Sequence, residues 1–155
     1  MTTHPGAALA RLVAETFDAM VDEVTAELTA AGHPGLTVAA ELAMQAVDEG
    51  AVTAAGLARA LGVSRQAAAK TIGALEGLGY VERTADAADA RRKELRLTDR
   101  GREAVAVGAG AFDRIRARWV RAEGAERVGA FEDGLRRLRD GSRRAAPAGS
   151  APSTG

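Results

Sequence analysis

The stretch TAAGLARALGVSRQAAAKTIGALEGLGY, residues 53–80, decides how this chain folds. Thr53 can cap a short helix whose Leu57, Ala58 and Leu61 share one face, and Gly62 ends it. Ser64 can cap a second helix that runs to about Leu78 and closes on Gly79. Two short helices meeting across Gly62-Val63-Ser64 predict a helix-turn-helix, because the glycine lets the chain reverse and the serine starts the next helix. Ala68, Ile72 and Leu75 fall on one face of the second helix and can pack on Leu57 and Leu61. The opposite face shows Arg65, Gln66, Ala69, Lys70, Gly73 and Glu76. Its N-terminal half is polar and cationic, with alanines keeping the reading side chains apart. Such a helix suits the major groove of DNA. Arg can bond guanine bidentately, Gln can do the same to adenine, and Lys and the capping Ser can hold phosphates.

Tyr80–Thr84 and Glu94–Leu97 carry the strand character of the chain. Between them Ala85–Lys93 is polar and reads as a hairpin loop. That loop holds Arg91, Arg92 and Lys93, with Arg83 and Arg96 on the strands. A basic hairpin beside a groove-reading helix is a wing, able to insert Arg into the narrow minor groove or to clamp phosphates. Asp89, two residues before Arg91, reads as orienting the arginine or pinning the loop, since a carboxylate facing phosphate would be repelled.

Working outward, Leu9, Val13, Phe17, Met20, Val24 and Leu28 recur at helical spacing and predict a helix over Ala7–Ala30 after a frayed Met1–Gly6. At about 36 Å it is longer than a small domain needs for itself. Thr37 caps a helix to about Glu49, with Val38, Leu42, Ala46 and Val47 inward. Thr98 and Asp99 open a helix towards Ala122 with Val105, Phe112, Ile115 and Trp119 on one side. Gly108 and Gly110 weaken it and make a kink there reasonable to expect. A last helix over Ala125–Arg144 carries Val128, Phe131, Leu135 and Leu138. Ala145–Gly155 is made only of Ala, Pro, Gly, Ser and Thr and reads as a disordered tail.

With 155 residues the chain is about one domain. It has no cysteine, which excludes disulfides, thiolate metal sites and thiol redox sensing. His4 and His33 are too few for a histidine metal cluster. There is no signal-peptide core and no apolar run long enough to span a bilayer, so a cytoplasmic protein with no membrane role is expected. The sequence has no paired His–nucleophile arrangement and no Gly-rich phosphate loop, so an enzyme is not expected, nor is a cofactor. The net charge is zero, which alone speaks against nucleic acid. The charge is uneven, however: residues 1–50 carry one base against eight acids, while residues 51–155 carry twenty bases and thirteen acids. Such asymmetry hints at a nucleic-acid face.

The first helix and the last two have apolar stripes in excess of what a small winged core can cover. Pairing them with a second copy would bury all of them and set two reading helices one DNA turn apart, roughly 34 Å. A small organic effector would fit the cleft between these helices and the core, where Phe17, Met20, His33, Met44 and Trp119 are the candidate lining residues. Each of these reads first as ordinary core, and His33, beside Pro34, as a solvated loop histidine.

The runs Leu57-Ala-Arg-Ala-Leu-Gly-Val-Ser-Arg-Gln, Leu75-Glu-Gly-Leu-Gly-Tyr-Val-Glu-Arg, Asp89-Ala-Arg-Arg-Lys and Leu97-Thr-Asp-Arg-Gly resemble the winged-helix core of the MarR family, the multiple antibiotic resistance regulators. Asp-x-Arg-x-Lys followed by Leu-Thr-x-x-Gly is the specific part, and the close match covers about Thr53–Ala104. Gly73 stands where family members commonly carry a bulkier residue. The resemblance implies a bacterial dimeric transcription regulator, in most members a repressor. Such proteins read pseudo-palindromic double-stranded DNA and often release it on binding a small aromatic or anionic molecule. By family position Arg91 is the wing-tip arginine, and Ser64–Thr71 begin the recognition helix. The expected DNA-contacting set is Ser64, Arg65, Gln66, Ala69, Lys70, Thr71, Arg91, Arg92 and Lys93, with Asp89 orienting the wing.

The expected fold is therefore mainly α (α+β). A flexible start at 1–6 precedes an N-terminal dimerisation helix and loop at 7–35. A winged helix-turn-helix core with a small β-hairpin wing follows at 36–98, then C-terminal dimerisation helices at 99–144 and a tail at 145–155. The rival reading is a winged-helix module for protein contact without DNA, for which a short or uncharged wing and an apolar recognition face would be expected.

Overall fold

Helix order follows from the caps that the sequence provides. In the computed structural model, which describes residues 4–85 and 93–145, the elements are α1 (Pro5–Ala30), α2 (Val38–Asp48), α3 (Ala54–Leu61), α4 (Arg65–Gly77), β1 (Val81–Ala85), β2 (Lys93–Leu97), α5 (Asp99–Glu123) and α6 (Ala125–Ala145). This is the mainly helical winged helix-turn-helix that the sequence predicts. The chain forms two compact units, residues 1–113 and 114–155, so the division lies inside α5. No described helix is long and apolar enough to cross a membrane.

Each short helix of the core starts on a hydroxyl. Thr37, Thr53 and Ser64 accept from the backbone N–H groups of Ala40, Gly56 and Ala67 at 3.1, 3.0 and 3.1 Å. Gly62 ends α3 at φ 67°, a left-handed turn that favours glycine. The first helix begins at Pro5, two residues earlier than expected, so residues 5 and 6 are not part of a frayed start. Proline suits a first helical position because its fixed φ is already helical and the missing N–H has no partner to lose there.

The core of the first unit gathers Val24 and Leu28 of α1 and Met44 and Val47 of α2. Leu57, Ala68, Ile72 and Leu75 of α3 and α4 join them, with Tyr80, Val81, Leu95 and Leu97. The strands pair antiparallel with Val81 opposite Leu97 and Arg83 opposite Leu95. On its other edge β2 is extended by the α2–α3 loop, where the Leu95 N–H donates to the Val52 carbonyl at 2.8 Å. Leu42, expected inward, is half-buried, and the neighbouring Glu41 is fully buried instead.

Glu41 explains why α5 needs a glycine. A Cβ on Gly108 would lie 2.4 Å from Glu41 Oε1 and 2.7 Å from its Cγ. Gly108 therefore marks the seat of a buried carboxyl, and α5 runs as one helix from Asp99 to Glu123 through the expected kink. The Gln45 amide donates to Glu41 Oε1 at 2.5 Å, while Oε2 has no hydrogen-bond partner among the described residues. Burial pushes this carboxyl above its ordinary 4.5, and the Gln45 hydrogen bond opposes the shift. The folded chain thus holds the proton more tightly than the unfolded chain. The contribution to stability is fullest below the ordinary carboxylate value and is lost as pH rises through the raised folded one. Glu41→Gln removes the titration. Its thermal midpoint relative to the parent should rise as pH climbs above the ordinary carboxylate value and level off once the folded parent's carboxyl is ionised, and a pH-independent difference would remove Glu41 as the cause.

Candidate nucleic-acid interface

The recognition helix is placed by its buried face. Ala68, Ile72 and Leu75 of α4 are buried, as the spacing predicts, beside buried Leu57 and half-buried Leu61 of α3. Arg65, Gln66, Ala69, Lys70 and Gly73 are exposed. Ser64 is exposed too, with its hydroxyl committed to the cap. Thr71 is half-buried and its hydroxyl donates to the Ala67 carbonyl at 3.1 Å, so it serves the helix. A Cβ on Gly73 would meet nothing within 4 Å, so packing does not demand the glycine.

The wing root is tied to this helix. Arg83 Nε donates to Glu76 Oε1 at 2.8 Å, joining β1 to the last turns of α4. Arg83 was expected as a plain wing cation, and Glu76 as an acid on the reading face. Each neutralises the other, which removes a carboxylate that would repel phosphate. Glu82 and Arg96 face each other across the ladder and are exposed. Lys93 begins β2, its backbone opposite Ala85. Asp89, Arg91 and Arg92 lie outside the described residues.

The Leu97-Thr98-Asp99-Arg100-Gly101 run closes the wing onto α5. The Thr98 N–H donates to the Tyr80 carbonyl at 3.0 Å, and the Thr98 hydroxyl donates to the Gly79 carbonyl at 2.6 Å. That hydroxyl also accepts from the Gly101 N–H at 3.1 Å, so one threonine both caps α5 and holds the end of α4. Arg102 Nη1 donates to the Leu97 carbonyl at 2.8 Å, and Arg102 pairs with Asp99.

The expected effector-lining residues differ in exposure. Met44 is buried, Met20 half-buried and Phe17 exposed. Trp119, in the second unit, is exposed and meets Phe131 edge-on with ring centroids 5.0 Å apart. His33 is no solvated loop histidine: it is 2% exposed, and its Nδ1 lies 3.2 Å from the Tyr80 hydroxyl. Sequence reasoning also missed Glu41. Its position three residues from both Val38 and Met44, on the buried stripe, was the available signal.

Comparisons with known proteins agree with this architecture. The MarR family model matches residues 35–92. No curated protein matches the chain. A MarR family protein of Mycobacterium tuberculosis, solved with p-aminosalicylic acid, is 26% identical over 84% of this chain and 97% of its own, with a TM-score of 0.58. Streptococcus pneumoniae FabT, solved with DNA, shares the fold at a TM-score of 0.71 and 16% identity, covering 89% of this chain and 97% of its own. CouR from Rhodococcus jostii, bound to p-coumaroyl-CoA, shares it at 0.69 and 22% identity, over 88% of this chain and 95% of its own. The helix-turn-helix, the hairpin that Thr98 locks to α5, and the family match across α2 to the wing lead to one statement: residues 35–92 are similar to the MarR family, and the chain shares the fold of solved MarR-type proteins.

Proposed function

We propose that this regulator binds double-stranded DNA through α4 and the wing, reads a pseudo-palindromic operator as a homodimer, and acts as a repressor released by a small organic effector. The observation that carries the reading is the exposed N-terminal half of α4, where Arg65, Gln66 and Lys70 project free of bulky neighbours beside an antiparallel wing. Bidentate Arg and Gln contacts to base edges supply sequence preference, and Lys with the wing cations Arg91, Arg92 and Lys93 supplies phosphate affinity. Solved relatives bound to DNA support this: FabT, and CouR on a 23-mer duplex. The effector is supported by relatives solved with p-coumaroyl-CoA and p-aminosalicylic acid. Among the candidates Phe17, Met20, His33, Met44 and Trp119, Phe17 in the first unit and Trp119 in the second have exposed rings.

Arg91→Ala tests the wing. Affinity for a duplex that the parent protein selects from a random pool should fall by about tenfold, the scale of one lost groove or phosphate contact. Log affinity should fall linearly with log salt for the parent, and the slope should shrink by about one in the variant. Unchanged affinity would reject the wing role. A salt-independent parent affinity would instead favour a module for protein contact.

A further inference from the structure

Tyr80 stands between the two elements proposed to read DNA, directly after the Gly79 turn that closes α4 and directly before β1. Its backbone is committed on both sides. The N–H donates to the Leu75 carbonyl at 2.9 Å, sealing the helix end, and the carbonyl accepts from Thr98. The side chain is 1% exposed and reaches two other parts of the first unit. Arg100, in the first turn of α5, donates through Nη2 to the Tyr80 hydroxyl at 3.3 Å, its guanidinium carbon 4.9 Å from the ring centroid. His33 also lies beside the Tyr80 ring, the two ring centroids 5.6 Å apart. The His33 N–H donates to the Leu28 carbonyl at 2.9 Å, so His33 is itself fastened to the end of α1.

The direction of the first of these bonds follows from what each group can do. A guanidinium only donates, so the Tyr80 oxygen accepts from Arg100. The hydroxyl keeps its hydrogen and a second lone pair, and it shares one further hydrogen bond with His33 Nδ1, 3.2 Å away, whose direction is set by the imidazole tautomer. His33 Nε2 has no partner among the described residues. A buried ring nitrogen left without a partner costs stability, so the ring is held here for its Nδ1 contact to Tyr80.

We infer that Tyr80 is a positioning residue for DNA binding: the Arg100–Tyr80–His33 chain fixes the end of the recognition helix and the root of the wing to the α1–α2 turn and to α5. The inference rests on the proposed DNA reading. A recognition helix discriminates bases only if its side chains arrive at the groove edges in register, so a loosened helix end should cost affinity without removing any contact residue.

The test uses the full chain, fluorescence anisotropy and a duplex that the parent selects from a random pool. Tyr80→Phe keeps the ring and removes both bonds of the hydroxyl; it should weaken binding about tenfold at an unchanged salt slope, with the protein folded at the assay temperature. His33→Leu, which breaks only the His33 bond, should weaken binding in the same direction and by no more. His33→Gln, which returns an acceptor oxygen, should recover most of the loss. The double variant His33→Leu with Tyr80→Phe should be no worse than Tyr80→Phe alone, since that variant has already lost the bond that His33→Leu breaks. Additive losses, or parent affinity in Tyr80→Phe, overturn the inference. A parent protein that enriches no sequence from the pool overturns the DNA reading and this inference with it. Nitrogen NMR of His33 judges the bond separately: a His33 Nδ1 signal left unchanged by Tyr80→Phe overturns the chain whatever the DNA result.

Discussion

Replacing Gly101 with alanine is expected to cost about 3 kcal/mol or more and to lower the thermal midpoint by roughly 10 °C. The added Cβ would lie 2.1 Å from the Tyr80 carbonyl oxygen and 3.1 Å from its carbon. Both atoms are backbone and cannot swing aside as a side chain would. The carbonyl is also held in place, because the Thr98 N–H donates to it at 3.0 Å and the Thr98 hydroxyl lies 3.1 Å from it. Relief requires either α5 to back away from the end of α4 or the Thr98 cap to break, and each exposes buried Tyr80 and Leu97. Gly73→Ala is the matched control. It is also a glycine inside a helix, but its Cβ meets open space, so alanine should stabilise by up to about 1 kcal/mol through helix propensity alone. Thermal unfolding of the two variants side by side checks the argument. Equal shifts would show that the close approach at Gly101 carries no energy.

That glycine also shows what sequence reading could reach. The run Leu97-Thr98-Asp99-Arg100-Gly101 stands out as a family-like pattern, yet its reason is three-dimensional: the threonine and the glycine serve a carbonyl that lies 21 residues before Gly101. The local signals were legible because they act over a few residues. Hydroxyl caps at Thr37, Thr53 and Ser64, the left-handed Gly62 and the buried spacing Ala68, Ile72 and Leu75 all behave as their chemistry dictates. The polar groups that the core encloses were not legible. Glu41 reads as surface, and only the opposed backbone at Gly108 makes room for its carboxyl. His33 reads as loop because it precedes Pro34, and only the approach of Tyr80 gives its Nδ1 a buried partner. Arg83 and Glu76 read as two independent charges because nothing local foretells that β1 returns beside α4. In each case a long-range approach decides the role, and periodicity carries no long-range information.

The second large effect concerns assembly, which the proposed reading of a two-fold operator requires. Along α1 the side chains of Leu9, Leu12, Val13 and Phe17 are exposed, and Leu12 is 61% so. In the second unit Trp119, Phe131, Leu135 and Leu138 are exposed as well. Isolated apolar side chains on a surface are ordinary, but a row along one helix is what an interface leaves bare when its partner is removed. The 26-residue α1 extends well beyond Val24 and Leu28, which are its only buried side chains among the described residues. Leu12→Glu should therefore leave the fold of one copy intact, since Leu12 buries little within it and Glu is as good a helix former as Leu. In a dimer the same change places an unpaired charge between two copies, a cost of about 3–5 kcal/mol, or at least a hundredfold weaker association. Sedimentation should then show the parent as a dimer and the variant as a monomer with an unchanged circular dichroism spectrum. Affinity for the two-fold duplex should fall by about a hundredfold or more, because the second recognition helix no longer binds at the effective concentration set by the first. A dimeric Leu12→Glu variant would mean that this face of α1 is not the interface. A monomeric parent that binds the duplex tightly would mean that one winged core suffices, and that the exposed row on α1 serves something other than a second copy.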